Sequence, residues 1–380
     1  MKQGWEYKKL GEICYITMGQ SPDGKSINDN EGVEFHQGKT CFGERTLGVS
    51  SLFSNAPVKL AEAHSVLLCV RAPVGYPNIT NRKICIGRGL CALYAKKDIN
   101  NTFLFYSLLG KQSHFEKNAT GSTFKAISSK VISNTEIPLP PKSTQLSIVS
   151  ELDKINELIR LKKEQLKDYG NLAQSIFYEM FGDPVENEKG WEVKKLGDVC
   201  TDIRYGTSKP ACENGCYKYL RMCNITDDGF LNLSNLKTID IPDDEIEKCI
   251  VRHGDILFNR TNSIELVGKT CMFDNSEPMV IAGYIIRVRL NERLLPVVLA
   301  RMFNLVSIKK KLRSMAKGAV NQANINSKEL ASIRIPLPPL PLQHLFAQRI
   351  EQIERQKSAV QKSITDLETL LASRMQYWFE

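Results

Sequence analysis

The sequence lacks any hydrophobic run long enough to cross a membrane. No stretch of its 380 residues approaches the roughly 18 consecutive apolar side chains that a membrane-spanning helix needs. The N-terminus also lacks the apolar core of a secretory signal peptide. The 11 cysteines follow no regular spacing, which in a chain of this length favours free thiols in a reducing compartment. These absences predict a cytoplasmic protein with no membrane partner.

Residues arranged as metal ligands are also missing. The five histidines are scattered and form no pair at helical spacing. Cys212 and Cys216, with Cys200 and Cys223 nearby, could suggest zinc, but their spacing fits no common zinc finger and no histidine lies close. Buried thiols are therefore the preferred interpretation, and we predict no metal site.

Signatures of catalysis are absent as well. The chain has no Gly-x-Ser-x-Gly motif, no Asn-Pro-Pro-aromatic motif and no glycine-rich methyl-donor loop after a first strand. Asp243, Asp244 and Asp255 are not grouped with a lysine in the way that nuclease carboxylates require. We therefore predict no catalytic residues and no cofactor of the chain's own.

One stretch, residues 19–26 (GQSPDGKS), matches the P-loop pattern literally. A phosphate cradle needs a helix that begins at the Lys-Ser pair. The residues that follow, 27–32 (INDNEG), are typical of a turn, and no second acidic strand motif is placed to hold magnesium. We therefore predict a loop here, not a nucleotide site.

What the chain does contain is an internal repeat. The segment Ile-Pro-Leu-Pro-Pro occurs at 137–141 and again at 335–339, and each copy precedes a long run that mixes polar and apolar residues. Because proline cannot lie inside a helix and restricts the residue before it, each copy marks the start of a helix. Apolar residues then recur at alternating steps of three and four, which is the seam of a coiled coil. The main seam positions are Leu152, Ile155, Ile159, Leu166, Ile176, Ile350, Ile353, Val360, Ile364, Leu367 and Leu371. Two helices of equal length with one seam each most simply pack on each other, antiparallel.

The regions before the helices also begin alike, with GWEYKKLG at residues 4–11 and GWEVKKLG at 190–197, although their interiors look unrelated. We predict strands at 65–71, 83–86, 89–94, 254–260, 268–273 and 281–290, helices at 101–109 and 295–315, and loops at 28–38, 72–82 and 261–267. The predicted domains are 1–140, 141–182, 183–338 and 339–380. The fold class is α/β (α+β), with two strand-rich domains alternating with two long coiled-coil helices in a pseudo-twofold repeat.

The positive charge is confined to the two strand-rich regions. Residues 1–141 carry 17 basic and 11 acidic side chains and residues 182–338 carry 23 and 20, whereas both long helices are neutral. Neutral, charge-rich helices suit contacts with proteins, and basic domains suit a polyanion. The run at 309–313 (KKKLR) ends a predicted helix, where cations suit the helix dipole and nearby phosphates equally.

In combination, the duplicated Pro-Leu-Pro-Pro helix, the Gly-Trp-x-x-Lys-Lys-Leu-Gly strand and the divergent interiors resemble the specificity subunit of type I restriction-modification systems. The resemblance covers essentially the whole chain. Further residues carry it at 35–39 (FHQGK), 70–75 (VRAPVG), 87–90 (GRGL), 221–225 (RMCNI), 254–260 (GDILFNR), 268–269 (GK) and 322–325 (QANI).

The resemblance implies two target recognition domains, each reading one half of a split site in double-stranded DNA. The long helices would set the spacing and bind two modification subunits, in a bacterial or archaeal phage-defence system. Catalysis would belong to partners, with S-adenosylmethionine used by the methyltransferase and ATP and Mg²⁺ by the restriction subunits. Rival interpretations are a coiled-coil scaffold, a DNA-binding protein outside restriction-modification, and a fused methyltransferase or nuclease.

Arginine, lysine, asparagine and glutamine near these segments suit the edges of guanine and adenine. The candidate DNA-binding residues are Gln37, Lys39, Arg45, Arg71, Arg88, Ser122, Thr123, Lys125, Arg221, Asn224, Arg260, Thr261, Asn262, Lys269, Gln322 and Asn324. For any one of them, a phosphate contact or an ordinary surface position is the alternative to base recognition.

Overall fold

The computed structural model describes residues 4–121, 125–319 and 322–379, with the backbone alone for residues 317–319 and 322. The chain forms two compact units. The first unit contains Met1–Lys163 and Lys362–Glu380, and the second contains Glu164–Gln361. Each long helix therefore contributes residues to both units. The predicted domain boundaries at 140, 182 and 338 stay predictions.

The first half of the chain alternates short strands with short helices before its long helix. The strands are β1 (Glu6–Lys9), β2 (Cys14–Met18), β3 (Ile27–Asn28), β4 (Val33–His36), β5 (Phe53–Ser54), β6 (Leu60–Ala61), β7 (Val66–Cys69), β8 (Pro77–Ile79), β9 (Ile84–Ile86), β10 (Leu90–Ala95) and β11 (Glu136–Leu139). The helices are α1 (Leu10–Ile13), α2 (Asn101–Gly110), α3 (Gln112–Lys117), α4 (Ser129–Asn134) and α5 (Lys142–Phe181), with 3₁₀ turns at Gly24–Ser26 and Lys39–Cys41.

The second half has the same plan. The strands are β12 (Glu192–Lys195), β13 (Cys200–Tyr205), β14 (Tyr217–Leu220), β15 (Lys237–Ile239), β16 (Ile250–Val251), β17 (Ile256–Asn259), β18 (Thr261–Asn262), β19 (Thr270–Met272), β20 (Met279–Ile281), β21 (Ile285–Leu290), β22 (Lys317–Ala319), β23 (Gln322–Asn324) and β24 (Arg334–Leu337). The helices are α6 (Asp243–Cys249), α7 (Pro296–Phe303), α8 (Val306–Met315), α9 (Ser327–Ala331) and α10 (Leu340–Phe379), with 3₁₀ turns at Leu196–Val199 and Met222–Asn224.

The strand order is shared between the two units, although the interior sequences look unrelated. A two-stranded sheet pairs β1 with β11 in the first unit and β12 with β24 in the second. A four-stranded sheet has the order β2-β10-β7-β8 in the first and β13-β21-β17-β19 in the second. A further sheet contains β5-β4-β9-β6 in the first, with β3 added at its edge, and β15-β14-β20-β16 in the second. The interiors are therefore two versions of one topology.

Burial in the hydrophobic cores stabilises these short strands. All four residues of β7 are buried, and so are all four of β17, as expected for central strands covered on both faces. The second unit also contains a three-stranded sheet, β18-β23-β22, and in the first unit isolated bridges join Arg71 and Thr120 to Ala126.

The long helices pack antiparallel within each unit. In the first unit the Arg374 guanidinium meets the Glu151 carboxylate, and Lys163 lies 3.0 Å from Glu368. In the second, the rings of Phe177 and Phe346 are 5.5 Å apart. Of the predicted seam residues, seven are buried and four, Leu166, Ile176, Leu367 and Leu371, are half-buried.

Several predicted elements differ from the structure. The predicted helix 295–315 is two helices, because the Asn304 side chain donates to the carbonyls of Ala300 and Thr270 where the chain turns. The predicted strand 281–290 is interrupted, because Ala282 N–H bonds to Leu220 and Gly283 N–H to Thr207, outside the sheet of β21. The predicted loops contain strands β4, β8 and β18. The partners of β4 and β18 are distant in sequence, whereas β8 pairs with β7, the strand just before it.

The literal P-loop match forms no cradle. Residues Gly24–Ser26 make a single 3₁₀ turn, capped by Asp23, whose carboxylate accepts from the Lys25 N–H at 3.0 Å. Strand β3 begins at the next residue, so no helix N-terminus points at a phosphate position. Among the described residues, no helix is both long and apolar enough for a membrane span. Nor does that part of the chain gather three His, Cys, Asp or Glu side chains as metal ligands, Cys212 and Cys216 included.

Candidate nucleic-acid interface

Three segments of the first unit meet at one edge of its sheets and carry exposed polar side chains. The Val70 N–H donates to the Gly89 carbonyl at 2.9 Å, and the Ile127 N–H donates to the Val70 carbonyl at 3.0 Å. These bonds place Arg71, Arg88 and Lys125 on adjacent segments, and all three are exposed. The structure therefore brings together residues that are far apart in sequence.

Gln37 joins the same edge because a glycine lets its backbone approach. A Cβ added to Gly89 would lie 2.2 Å from the Gln37 carbonyl oxygen, so no larger residue fits there. Gln37 itself is exposed at the end of β4. Four predicted residues, Gln37, Arg71, Arg88 and Lys125, thus share one surface.

Two other candidates of the first unit point to neighbours within the protein. The Lys39 ammonium lies 4.5 Å from the centre of the Tyr76 ring, a cation–π contact at an exposed site. The Arg45 guanidinium is 2.5 Å from Asp153 on α5, and the Tyr106 hydroxyl donates to the same carboxylate at 2.6 Å. Arg45 therefore ties its loop to the long helix. Ser122 and Thr123 lie outside the described residues.

Strand β4, which Gln37 directly follows, is anchored by a half-buried carboxylate. Glu34 accepts from both ends of the Arg82 guanidinium, at 2.5 and 2.6 Å, from the Ser50 N–H at 2.7 Å and from His36 at 2.8 Å. Burial alone would raise the pKa of Glu34, but these bonds outweigh it and lower the pKa to about 2. Burial in turn lowers the pKa of His36, against the attraction of Glu34.

In the second unit, β18 pairs with β23 and gathers three of the predicted residues. The Asn324 side-chain oxygen accepts from Arg260 Nε and from the Thr261 hydroxyl, both at 3.1 Å. The Arg260 guanidinium also lies 4.7 Å from the centre of the Tyr205 ring. This stacking and hydrogen bonding hold the cation in one orientation.

Asn224 and Lys269 have structural partners that the sequence did not indicate. Asn224 is 1% exposed, and its amide accepts from the Arg221 N–H at 2.9 Å and donates to the Asn232 carbonyl at 2.7 Å. Such an amide stabilises its loop and has no free edge for a base. Lys269 pairs with Asp227 at 2.5 Å and its side chain is 15% exposed.

The remaining candidates of the second unit also form hydrogen bonds within the protein. The Arg221 guanidinium donates to the Asn235 carbonyl at 2.9 Å, and the Asn262 side chain accepts from the Ser263 N–H at 2.9 Å. The Gln322 backbone pairs with Ala319 in the hairpin β22–β23. Asn262 and Gln322 border the Arg260 cluster, Asn262 along the chain and Gln322 on strand β23.

Sequence reasoning missed two aromatic residues at this surface. Tyr205 stacks on Arg260 and is 37% exposed, and Tyr284, whose carbonyl accepts the Arg260 N–H, is 52% exposed. An exposed aromatic ring at a strand end can stack on an unpaired base. Tyr205 directly precedes Gly206 at the end of β13. An aromatic residue followed by glycine at a strand end is the sequence signal that could have identified Tyr205.

Equivalent positions of the two units carry different chemistry. Arg71 bridges to Ala126 in the first unit just as Thr261 pairs with Asn324 in the second. Likewise the Val70 N–H donates to the Gly89 carbonyl in the first unit, and the equivalent Arg260 N–H donates to the Tyr284 carbonyl in the second. Each unit therefore offers its own set of donors and acceptors on the same framework.

A family model described as the type I restriction modification DNA specificity domain matches the chain twice, over residues 2–168 and 188–369. The chain belongs to this family. The two matches correspond to the two halves of the repeat, and they confirm the predicted resemblance.

Related specificity subunits match different shares of the chain. The putative type I restriction enzyme MjaX specificity subunit of Methanocaldococcus jannaschii is 40% identical over 178 residues, which cover 46% of this chain and 42% of that protein. The MjaVIII specificity subunit of the same organism is 24% identical over 401 residues, covering 97% and 92%. The EcoKI specificity subunit of Escherichia coli is 23% identical over 246 residues, covering 60% and 53%. The chain thus matches about half of two of these relatives and nearly all of the third.

Solved structures show the same fold for this specificity-domain protein. One is described as the structural basis of complex assembly and conformational transition of the type I R-M system; it has a TM-score of 0.66 at 21% identity, covering 100% of this chain and 98% of that chain. The S subunit of a type I system from M. genitalium has a TM-score of 0.55 at 15% identity, with the same coverage. The predicted fold class is therefore confirmed.

Proposed function

We propose that this chain is the specificity subunit of a type I restriction-modification complex, and that each unit reads one half of a split site in double-stranded DNA. The observation that supports the proposal most is one strand order presenting different side chains at equivalent positions, such as Arg71 and Thr261. Two related but different readers in one chain specify an asymmetric bipartite site, as two identical readers specify a palindrome.

The side chains at each surface suit base edges. In the first unit, the exposed Gln37 suits adenine, and Arg71 and Arg88 suit guanine. In the second, Arg260 is held by Tyr205 and Asn324, and a preorganised guanidinium loses less entropy when it binds a base. Lys39 and Lys125 suit phosphates.

In this proposal the chain catalyses nothing. Two modification subunits bind the long helices and methylate adenine with S-adenosylmethionine after taking the base out of the stack. Restriction subunits that use ATP and Mg²⁺ complete the complex. All of this takes place in the cytoplasm of a bacterial or archaeal cell.

Exchange of one unit's interior tests the proposal. Residues 183–338 are replaced by the matching region of another such subunit, and the complex with modification subunits is examined by methylome sequencing. We expect one half of the methylated site to change and the other to stay. A change in both halves would contradict two independent readers, and methylation by the purified chain alone would contradict the non-catalytic role.

We also propose that the helices set the spacer between the half-sites. Insertion of seven residues after Leu166 and after Gln361 keeps both seams in register and lengthens each helix by about 10 Å. The methylated site should then gain about three base pairs of unspecified spacer at 3.4 Å each. Insertion of four residues, which breaks the seam, should cost assembly instead. An active seven-residue variant with the original spacer would show that helix length does not determine the spacing.

A further inference from the structure

Helices α3 and α8 occupy equivalent places in their units. Gly75 bonds through its N–H to the last residue of β7, and Gly268 bonds in the same way to the last residue of β17. Phe115 of α3 packs on Gly75, and Leu312 of α8 packs on Gly268; an added Cβ would lie 2.7 and 2.8 Å from them. This shared contact aligns the two helices residue by residue.

The aligned helices differ in charge. Setting Phe115 against Leu312 places the residues of α3 and α8 in corresponding pairs, and four of these pairs put an uncharged or acidic side chain of α3 opposite a cation of α8. The pairs are Gln112 and Lys309, Ser113 and Lys310, His114 and Lys311, and Glu116 and Arg313. At these four positions the second unit carries four cations where the first carries one carboxylate, while Lys111 and Lys117 of the first unit align with the uncharged Ile308 and Ser314.

Three of these cations keep their charge available. Within the described residues, neither Lys310 nor Lys311 forms an ion pair, although Asp183 and Glu186 line the same groove. Arg313 donates to a peptide oxygen, that of Glu265, at 3.1 Å, and it too forms no ion pair in the described part of the chain. Lys309 is different, since it donates to the Asp227 carbonyl at 2.7 Å and burial lowers its pKa.

Helix α8 borders the surface around Arg260. Arg313 holds the segment that follows Thr261 through the Glu265 carbonyl. The C-terminal end of α8 leads directly into β22, the neighbour of β23 that carries Asn324. Helix α8 is therefore connected to the Arg260 cluster both through the segment after Thr261 and through β22.

We propose that Lys310, Lys311 and Arg313 bind the phosphodiester backbone of double-stranded DNA beside the half-site read by the second unit, from positions where the first unit carries no lysine or arginine. The inference rests on the proposed function. Contacts to phosphates carry no sequence information but make binding depend on salt, with a slope of roughly 0.9 in log affinity per phosphate. These three cations thus add to the salt-dependent part of the affinity at the second half-site.

The test uses the chain assembled with its modification subunits and a duplex that carries the site defined by methylome sequencing. Affinity is measured by fluorescence anisotropy between about 50 and 200 mM salt, over which each released phosphate contact is worth roughly threefold to fourfold. Raising the salt over this range should weaken DNA binding by the Lys310→Gln/Lys311→Gln variant about tenfold less than it weakens binding by the wild type. Adding Arg313→Gln should flatten the slope further. The methylated sequence should stay the same in both variants.

The matched control lies in the first unit. Ser113→Ala/His114→Ala changes the aligned positions without changing a fixed charge and should leave the slope unaltered. Ser113→Lys/His114→Lys should steepen it by about two phosphates. An unchanged slope in Lys310→Gln/Lys311→Gln, at an unchanged melting temperature, would overturn the inference. If the wild-type complex does not prefer its site to a scrambled duplex, the proposed function itself fails, whatever the slope.

Discussion

The two units share one strand order but fill the centre of their four-stranded sheets differently. In the first unit, Ala92 of β10 pairs with Leu67 of β7. In the second, the same position of β21 is Arg287, which pairs with Leu257 of β17 and is fully buried. One topology therefore accepts either a small apolar residue or a buried cation at its centre.

Arg287 is tolerated because the second unit provides acceptors for it. Its guanidinium meets the Asp202 carboxylate and the Ile250 carbonyl, and it donates to the Glu247 carbonyl at 3.2 Å. The position equivalent to Asp202 in the first unit is Tyr15, which is 64% exposed and has no buried cation to balance. The difference teaches that a buried cation at this position comes with its own set of acceptors, because a buried charge without a partner is costly.

Removing the partner of Arg287 should give the largest effect. Asp202→Ala leaves a buried guanidinium unpaired, and we expect the second unit to lose about 3–5 kcal/mol of unfolding free energy. Hydrogen–deuterium exchange should speed up in β13 and β21 but not in β2 and β10. The control Tyr15→Ala should cost less than about 1 kcal/mol.

The double variant Asp202→Ala/Arg287→Met sharpens the same comparison. It makes the centre of the second unit apolar, like the first, and should recover most of the lost stability. If Asp202→Ala costs no more than Tyr15→Ala, the pair does not hold the second unit together.

A second comparison is by pH, and its expected effect is smaller. The pKa of Glu34 in the first unit is lowered from 4.5 to about 2. The folded state therefore takes up this proton at a lower pH than the unfolded state does. Its contribution, up to about 3 kcal/mol, is therefore present above about pH 4.5 and lost as the pH falls towards 2.

Glu34→Gln should lower the unfolding free energy of the first unit at neutral pH. The stability that remains should then fall less as the pH is lowered. The measurement is the urea midpoint at a series of pH values, with exchange in β4 and β9 reporting on the first unit. Glu6→Gln, at an exposed carboxylate, is the control and should leave the pH dependence as it is. An unaltered acid loss in Glu34→Gln would assign the acid sensitivity to other carboxylates.

The smallest effect concerns the helix pairs. Glu151 of α5 is bound by Arg374 and accepts from the Trp378 indole at 3.1 Å, and its side chain is 33% exposed. The equivalent position of α10, Arg349, lies 3.8 Å from Glu179, whose side chain is 72% exposed. We expect Glu151→Gln to cost about 1 kcal/mol and Arg349→Gln less than about 0.5 kcal/mol. Melting temperatures check this order, and equal losses would mean that the two ends of the helix pair are held alike.

The sequence by itself determined the repeat, the long helices and their seams. Proline restricts its own backbone conformation and that of the preceding residue. Apolar residues at alternating steps of three and four indicate a helical seam, so both signals are local. Seam residues such as Leu152 and Ile350 are accordingly buried. The short helix predicted over 101–109 is α2, which the Asn100 side chain caps at its first turn.

Only the tertiary structure decided how the interiors pair and which side chains are free. Strand β4 pairs with β9 about fifty residues later, and no local pattern encodes that register. The amide of Asn224 is consumed by its own loop, whereas Lys310 faces solvent, although both read as polar residues in the sequence. The physical reason is that hydrogen bonds and ion pairs are distributed by contacts between distant segments, and these exist only once the chain has folded.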